Sequence, residues 1–340
     1  MLRYFYGSFF VTFFGLFLAA GVGFYYGGSW ETALSAVFLS LILSVLEISL
    51  SFDNAVVNAT VLEKMTPVWQ HRFITWGILI AVFGMRLIFP LAVVSLVAHV
   101  NPWEALVLAA TQPQKYEEIM VSSHLLLAGF GGAFLMMVAL SYFFDDEKDV
   151  HWMRWIEKPL ASIGRIQTIE IAVALIVFYV LSRFLPNQEA QLDFLVSGML
   201  GLITFVVVDG MSAFLQLPSA VKKDIHRASM AMFVYLEILD ASFSFDGVVG
   251  AFALTNNLFL IAIGLGIGAM FVRSMTILLV EKKTLSHFRY LEHGAFYAIG
   301  ALALLMLIGA FVHVPEMLTG LIGAAFIGLS LLSSLRYERG

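Results

Sequence analysis

Apolar runs of about twenty residues, separated by short polar stretches, repeat along the whole chain. A helix needs roughly 20 mostly apolar residues to cross a bilayer. The pattern predicts ten spans, at 8–27, 33–61, 73–98, 123–144, 168–185, 191–216, 229–254, 257–280, 291–312 and 316–335. The fifth is the shortest, and only Thr255-Asn256-Asn257 divides the seventh from the eighth. Arg3 precedes an apolar stretch ending in Leu18-Ala19-Ala20-Gly21, the outline of a signal peptide. Its apolar run is longer than the about 7–15 residues of a signal core, so it reads as an uncleaved first span. Segment 100–122, with Pro102 and Pro113, reads as an external connector. The longest polar insert is 145–167, where Trp152, Trp155 and Ile156 suit a short amphipathic segment at the interface.

Composition agrees with this pattern. Of 340 residues, 60% are hydrophobic and 13% charged, about half the charged share of a soluble domain. The 31 Phe and 27 Gly suit helices that face lipid and pack through small residues. With no cysteine, thiolate metal sites and disulfides are excluded. A net charge of −5 and no basic run argue against nucleic acid as a partner. The 15 Met are scattered and read as packing.

Charge placement sets an orientation. Of the 19 Lys and Arg, 15 fall at the termini or in the loops after spans two, four, six and eight. Lys115 and Arg183 lie on the opposite side, while Arg86 and Arg273 lie within spans. The positive-inside rule then puts both termini in the cytoplasm of a multi-pass protein, expected in the plasma membrane of a prokaryote.

Inside the second and seventh spans an acidic phrase repeats. Glu47-Ile-Ser-Leu-Ser-Phe-Asp53-Asn54 recurs as Asp240-Ala-Ser-Phe-Ser-Phe-Asp246-Gly247. The seventh span comes five spans after the second, an odd number, so the two helices cross the membrane in opposite directions. The chain is therefore expected to be an all-α membrane protein of two inverted five-helix repeats, 1–186 and 187–340. Weaker traces keep the same order: Gly77 lies nine residues before Arg86, as Gly264 does before Arg273. His124 and His293 open their spans seven residues before Gly131 and Gly300.

Carboxylates at bilayer depth are costly unless paired, protonated or bound to a cation. On a straight helix Glu47, Ser51, Asn54 and Asn58 share a stripe, and Ser49 with Asp53 form another about 120° away. Either the site is wide, or the helix unwinds near Ser-Phe-Asp and turns both acids inward. In the second copy Glu237, Asp240, Ser244 and Gly247 share a stripe, and Ser242 aligns with Asp246. Carboxylate, hydroxyl and amide oxygens are hard ligands, suited to Mn²⁺, Ca²⁺ or Mg²⁺. The candidate metal ligands are Glu47, Asp53, Asn54, Asp240 and Asp246, supported by Ser49, Ser51, Ser242, Ser244, Glu237 and Asp209. Arg86 and Arg273 are candidate gate or ion-pair residues, since guanidinium cannot ligate a cation. The competing reading is that acids and arginines pair only to hold helices together. A regulatory metal site at Asp145, Asp149 and His151 is a further, unsupported option.

The first phrase, read as Glu47-x-x-Leu50-Ser51-x-Asp53-Asn54, resembles the first signature of the TerC-like integral membrane proteins. Asp240 to Val248, with Asn256, Phe259 and Arg273, resembles their second, and Leu285, Phe288, Leu291, Gly294 and Gly300 match the spacing of the next helix. The likeness covers most of 33–312. The main branch carries Asp-Ser-Val-Pro where this chain has Asp246-Gly247-Val248-Val249, so it looks more like the uncharacterised TerC-like branch. Without that proline, a break in the seventh span and the choice of ion are open. The resemblance implies membership of the superfamily of lysine and manganese exporters, with metal homeostasis, Mn²⁺ efflux and tellurium resistance as its associations.

The expected function is export of a divalent cation, Mn²⁺ before Ca²⁺, with protons as a candidate counter-ion. No nucleotide-binding loop and no cofactor motif occur, and no enzyme activity is expected. The ion is cargo, and the only partners expected are that ion and the lipid bilayer. Alternatives are export of a cationic metabolite and a non-transporting metal sensor or scaffold. The membrane Asp-Gly pairs at Asp209 and Asp246 raise an intramembrane aspartyl protease. The Gly-x-Gly-Asp and Pro-Ala-Leu phrases such a protease needs are missing.

Overall fold

A computed structural model describes residues 2–146, 148–166, 168–215, 223–252, 254–282, 288–312 and 314–339. Among the described residues the secondary structure is entirely helical. The helices are α1 (Tyr6–Gly27), α2 (Trp30–Leu50), α3 (Phe52–Leu62), α4 (Pro67–Leu79), α5 (Phe89–Val97), α6 (Pro102–Thr111), α7 (Pro113–Ser122), α8 (His124–Phe143), α9 (Arg154–Ile163), α10 (Ile169–Ser182), α11 (Gln188–Leu215), α12 (Lys223–Phe252), α13 (Leu258–Glu281), α14 (Leu291–Gly309) and α15 (Glu316–Arg339). A π-helical stretch, Ile80–Ile88, joins α4 to α5.

Among the described residues, seven helices are long and apolar enough to cross a membrane by themselves, and an eighth span is added if the bent pair Phe83–Val97 and Pro102–Thr111 counts as one. The chain is thus a multi-pass, all-α membrane protein. Of the ten expected stretches, 168–185 holds a helix of only 14 residues. The stretch 73–98 changes helix type midway, and the seventh carries three acids along α12.

Lipid-facing and protein-facing residues are sorted by size. On α1, Phe9, Phe10, Phe13, Phe14 and Phe17 point outward, whereas Gly15, Ala19 and Gly23 are buried. Without water outside, close backbone approach and dispersion hold such helices together. Gly28, at φ 68°, ends α1 in the left-handed conformation that glycine tolerates best. Ser29 then caps α2 by accepting from the backbone N–H of Thr32. Gly264 and Gly268, one turn apart on α13, seat that helix against α2. A Cβ at Gly264 would lie 2.5 Å from Leu43 Cβ, and one at Gly268 would lie 2.5 Å from Glu47 Cβ. The largest core cluster lies where α8, α11 and α14 meet, around Phe134, Phe194 and Leu302.

The expected external connector is instead helical. Pro102 and Pro113 stand at the first helical positions of α6 and α7, where a missing N–H costs nothing. Asn101 and Glu104 form a reciprocal capping box. α6 and α7 bury Ala105, Ala109, Tyr116 and Met120 against the bundle.

The 145–167 insert contains α9, whose Trp155 is exposed, but it is anchored from within. Glu157 is fully buried and accepts from the backbone N–H groups of Trp152 (3.2 Å) and Met153 (3.1 Å) and from the Tyr297 hydroxyl on α14 (3.2 Å). His293 Nε2 and His151 Nδ1 lie 3.4 and 3.5 Å from the same carboxylate. Among the described residues no three His, Cys, Asp or Glu form a metal-holding group, so the suggested regulatory site at Asp145, Asp149 and His151 gains no support.

Candidate functional site

The first acidic phrase is not one helix. α2 ends and α3 begins at Ser51 (φ −104°, ψ 17°), inside Ser-Phe-Asp. The break leaves Glu47 in the last turn of α2, and Ser51, Asn54 and Asn58 line one cavity. The second phrase lies in the uninterrupted α12, consistent with the missing proline.

The two copies meet. A Cβ on Gly247 would lie 3.3 Å from Glu47 Oε2, so the end of the second phrase abuts the start of the first. Beyond the first phrase, Asn58 Nδ2 donates to Asp240 Oδ1 at 2.8 Å, across 182 residues of chain. The phrases therefore run past each other head to tail.

Between them lies a cavity of about 20 Å³, lined by Ser51, Asn54, Asn58, Asp240, Arg86 and Arg273 among others. That volume holds about one water or one dehydrated small ion. Arg86 donates to Glu47 in a buried ion pair, and Ser51 Oγ donates to the same carboxylate at 3.0 Å. Arg86 comes from the π-helical stretch. Pro90, four residues on, has no N–H for the Arg86 carbonyl, so a regular α-helical bond is impossible there. Arg273 donates to the Phe73 carbonyl and lies over the Phe73 ring, 3.9 Å from its centroid. Gly77 makes room for this: a Cβ there would collide with Arg273 Nη2 and lie 2.8 Å from Glu237 Oε1. Glu237 is buried, and neither carboxylate oxygen has a hydrogen-bond partner. Three described carboxylates, Glu47, Glu237 and Asp240, thus lie with two guanidiniums at or beside this cavity.

Glu47, Asn54, Asp240, Ser51, Glu237, Arg86 and Arg273 gather at or beside the cavity. Ser49 does not: it is exposed, on the far side of α2, and donates to the Val45 carbonyl. Ser242 is buried toward α8 and donates to the Ile238 carbonyl. Asp209 is exposed near the end of α11, away from the cavity lining. The backbones at Asp53, Ser244 and Asp246 are helical, but their side chains lie outside the described residues. Asn58, read only as part of a polar stripe, proves to tie the copies together. Phe73, Gly268 and Thr276 were missed, because an apolar or small residue in a span carries no signal of its own.

No curated protein and no solved structure matches the chain. The family described as "Protein of unknown function (DUF475)" matches residues 52–340, from the middle of the first acidic phrase to the last residue, and the chain belongs to it.

Proposed function

We infer that this protein is a secondary transporter exporting a divalent cation, with Mn²⁺ foremost, through the cavity between the two acidic phrases. The observation that carries the reading is their convergence: Gly247 of one against Glu47 of the other, and Asp240 against Asn58. A duplicated phrase whose copies meet antiparallel fits two inverted five-helix halves in the ten-span arrangement. Helix contacts support that exchange. α3 against α14 corresponds to α12 against α8, α13 against α2 corresponds to the π-helical stretch against α12, and α8 against α14 corresponds to itself.

The oxygens of Ser51, Asn54, Asn58 and Asp240 form a hard-ligand set around a space of single-ion size. Arg86 acts as an internal cation on Glu47. An arriving divalent ion competes for that carboxylate, and Arg86 takes it back on release. Glu237, buried beside Arg273 with neither oxygen hydrogen-bonded, is suited to carry the exchanged proton. The resemblance to TerC-like exporters points the same way, as does the basic face that would be cytoplasmic. In proteoliposomes, Mn²⁺ should cross with the wild-type chain, and Glu47→Gln and Asp240→Asn should each abolish flux. Equal flux in all three would refute the reading.

A further inference from the structure

A second, larger cavity of about 150 Å³ opens between the start of α4 and the end of α13. Pro67, Gln70 and His71 line one wall, and Ile277, Val280 and Glu281 the other. In the sequence these lining residues neighbour Lys64, Arg72 and Lys282, three of the basic residues expected on the cytoplasmic side. Phe73 and Thr276 line both this vestibule and the small carboxylate cavity, so these two residues form the wall between them. Phe73 is 1% exposed, packed edge-on to Phe233 and covered by the Arg273 guanidinium.

We propose that the vestibule is the cytoplasmic access route of a hydrated cation to the carboxylate cavity, and that Phe73, clamped by Arg273, is the barrier it must pass. This deepens the transport reading and rests on it. A wide chamber with Gln70, His71 and Glu281 accommodates an ion with its water shell, whereas the inner cavity accommodates the ion alone. Dehydration therefore takes place at Phe73 and Thr276. Arg273 contacts Phe73 through both ring and carbonyl and also borders the inner cavity. A divalent ion reaching Asp240 repels that guanidinium and weakens its hold on the ring. Arrival of cargo and movement of the barrier are thus coupled through one side chain.

The chain has no cysteine, so single cysteines report cleanly. Gln70→Cys and Thr276→Cys are treated with a membrane-impermeant cationic methanethiosulfonate in vesicles of each orientation. Gln70→Cys should react only from the cytoplasmic face. Thr276→Cys should react slowly from that face, and about tenfold faster when Phe73→Ala or the milder Phe73→Leu removes the ring under the guanidinium. Unchanged Gln70→Cys labelling in those backgrounds shows that the fold survives. Reaction of Thr276→Cys from the opposite face, or no acceleration in either Phe73 variant, overturns the proposal. Labelling needs no flux, so failure here is distinct from failure of Mn²⁺ transport.

Discussion

Glu47 is held by Arg86, and under the proposed function it passes between that guanidinium and a metal ion. Removing Arg86 alone strands a buried carboxylate, at a cost of about 3–5 kcal/mol. Arg86→Met should therefore lower the thermal unfolding temperature in detergent, and adding Glu47→Leu should recover most of the loss. Recovery would be absent if Glu47 drew its stability from elsewhere. Glu237 behaves differently, because no hydrogen bond is lost on neutralisation. Glu237→Gln should fold as well as the parent while Mn²⁺ flux loses its response to a pH gradient; flux still driven by that gradient would remove Glu237 from proton coupling. Much of this was legible in the sequence. Ser51, Asn54 and Asn58 of the expected stripe line the cavity, Glu47 is tied to its Arg86 and Ser51, and Ser49, placed on another stripe, faces away. The partners of the arginines were not legible, since a spacing of nine residues from Gly77 says nothing about which ring Arg273 will cover.

Elements carry their own signals. Gly264 and Gly268 let α13 approach α2, but only Gly268 touches the acidic site. Gly268→Ala should cost ~1–3 kcal/mol through overpacking and also abolish flux by displacing Glu47. Gly264→Ala should cost a similar amount with less loss of flux, as paired unfolding and transport assays would reveal. The 145–167 insert offers a test by pH. Lys148 Nζ lies 3.5 Å over the Tyr142 ring, and burial lowers its pKa, against the opposing pull of Glu157, Asp145 and Glu292. The unfolded chain therefore holds the Lys148 proton more tightly than the folded one. Stability from this group should rise as pH climbs through the window below its unfolded value of 10.5. Lys148→Met should flatten that rise in alkaline unfolding curves, and an identical slope would contradict the burial argument. Helix positions followed from apolar run length, yet α6 and α7 did not, because proline marks a helix start as often as a loop. A break near Ser-Phe-Asp was one of two options for the first phrase, and it falls at Ser51; whether it turns Asp53 inward lies outside the described residues.

On the scale of the whole molecule, the 15-to-2 division of basic residues expected from ten spans and the antiparallel meeting of the acidic phrases fit the same proposed architecture. Reporter fusions at the two termini should both read out on the cytoplasmic face, and opposite readings would break the ten-span count. Multi-pass helical character was plain from composition alone. The number of crossings was less so, because α10 is short and α12 carries acids that a span normally lacks. Those same acids are the ones to which the proposed function assigns the cation site. The most direct measurement is ion-dependent thermal stabilisation of the purified protein, comparing the wild type with Asp240→Asn. Mn²⁺ at a hundredfold excess over its Kd should stabilise the wild type by about 2.7 kcal/mol. The variant should gain nothing at that concentration. Equal gains in both proteins, or none in the wild type, would mean that no cation is held where the two phrases cross.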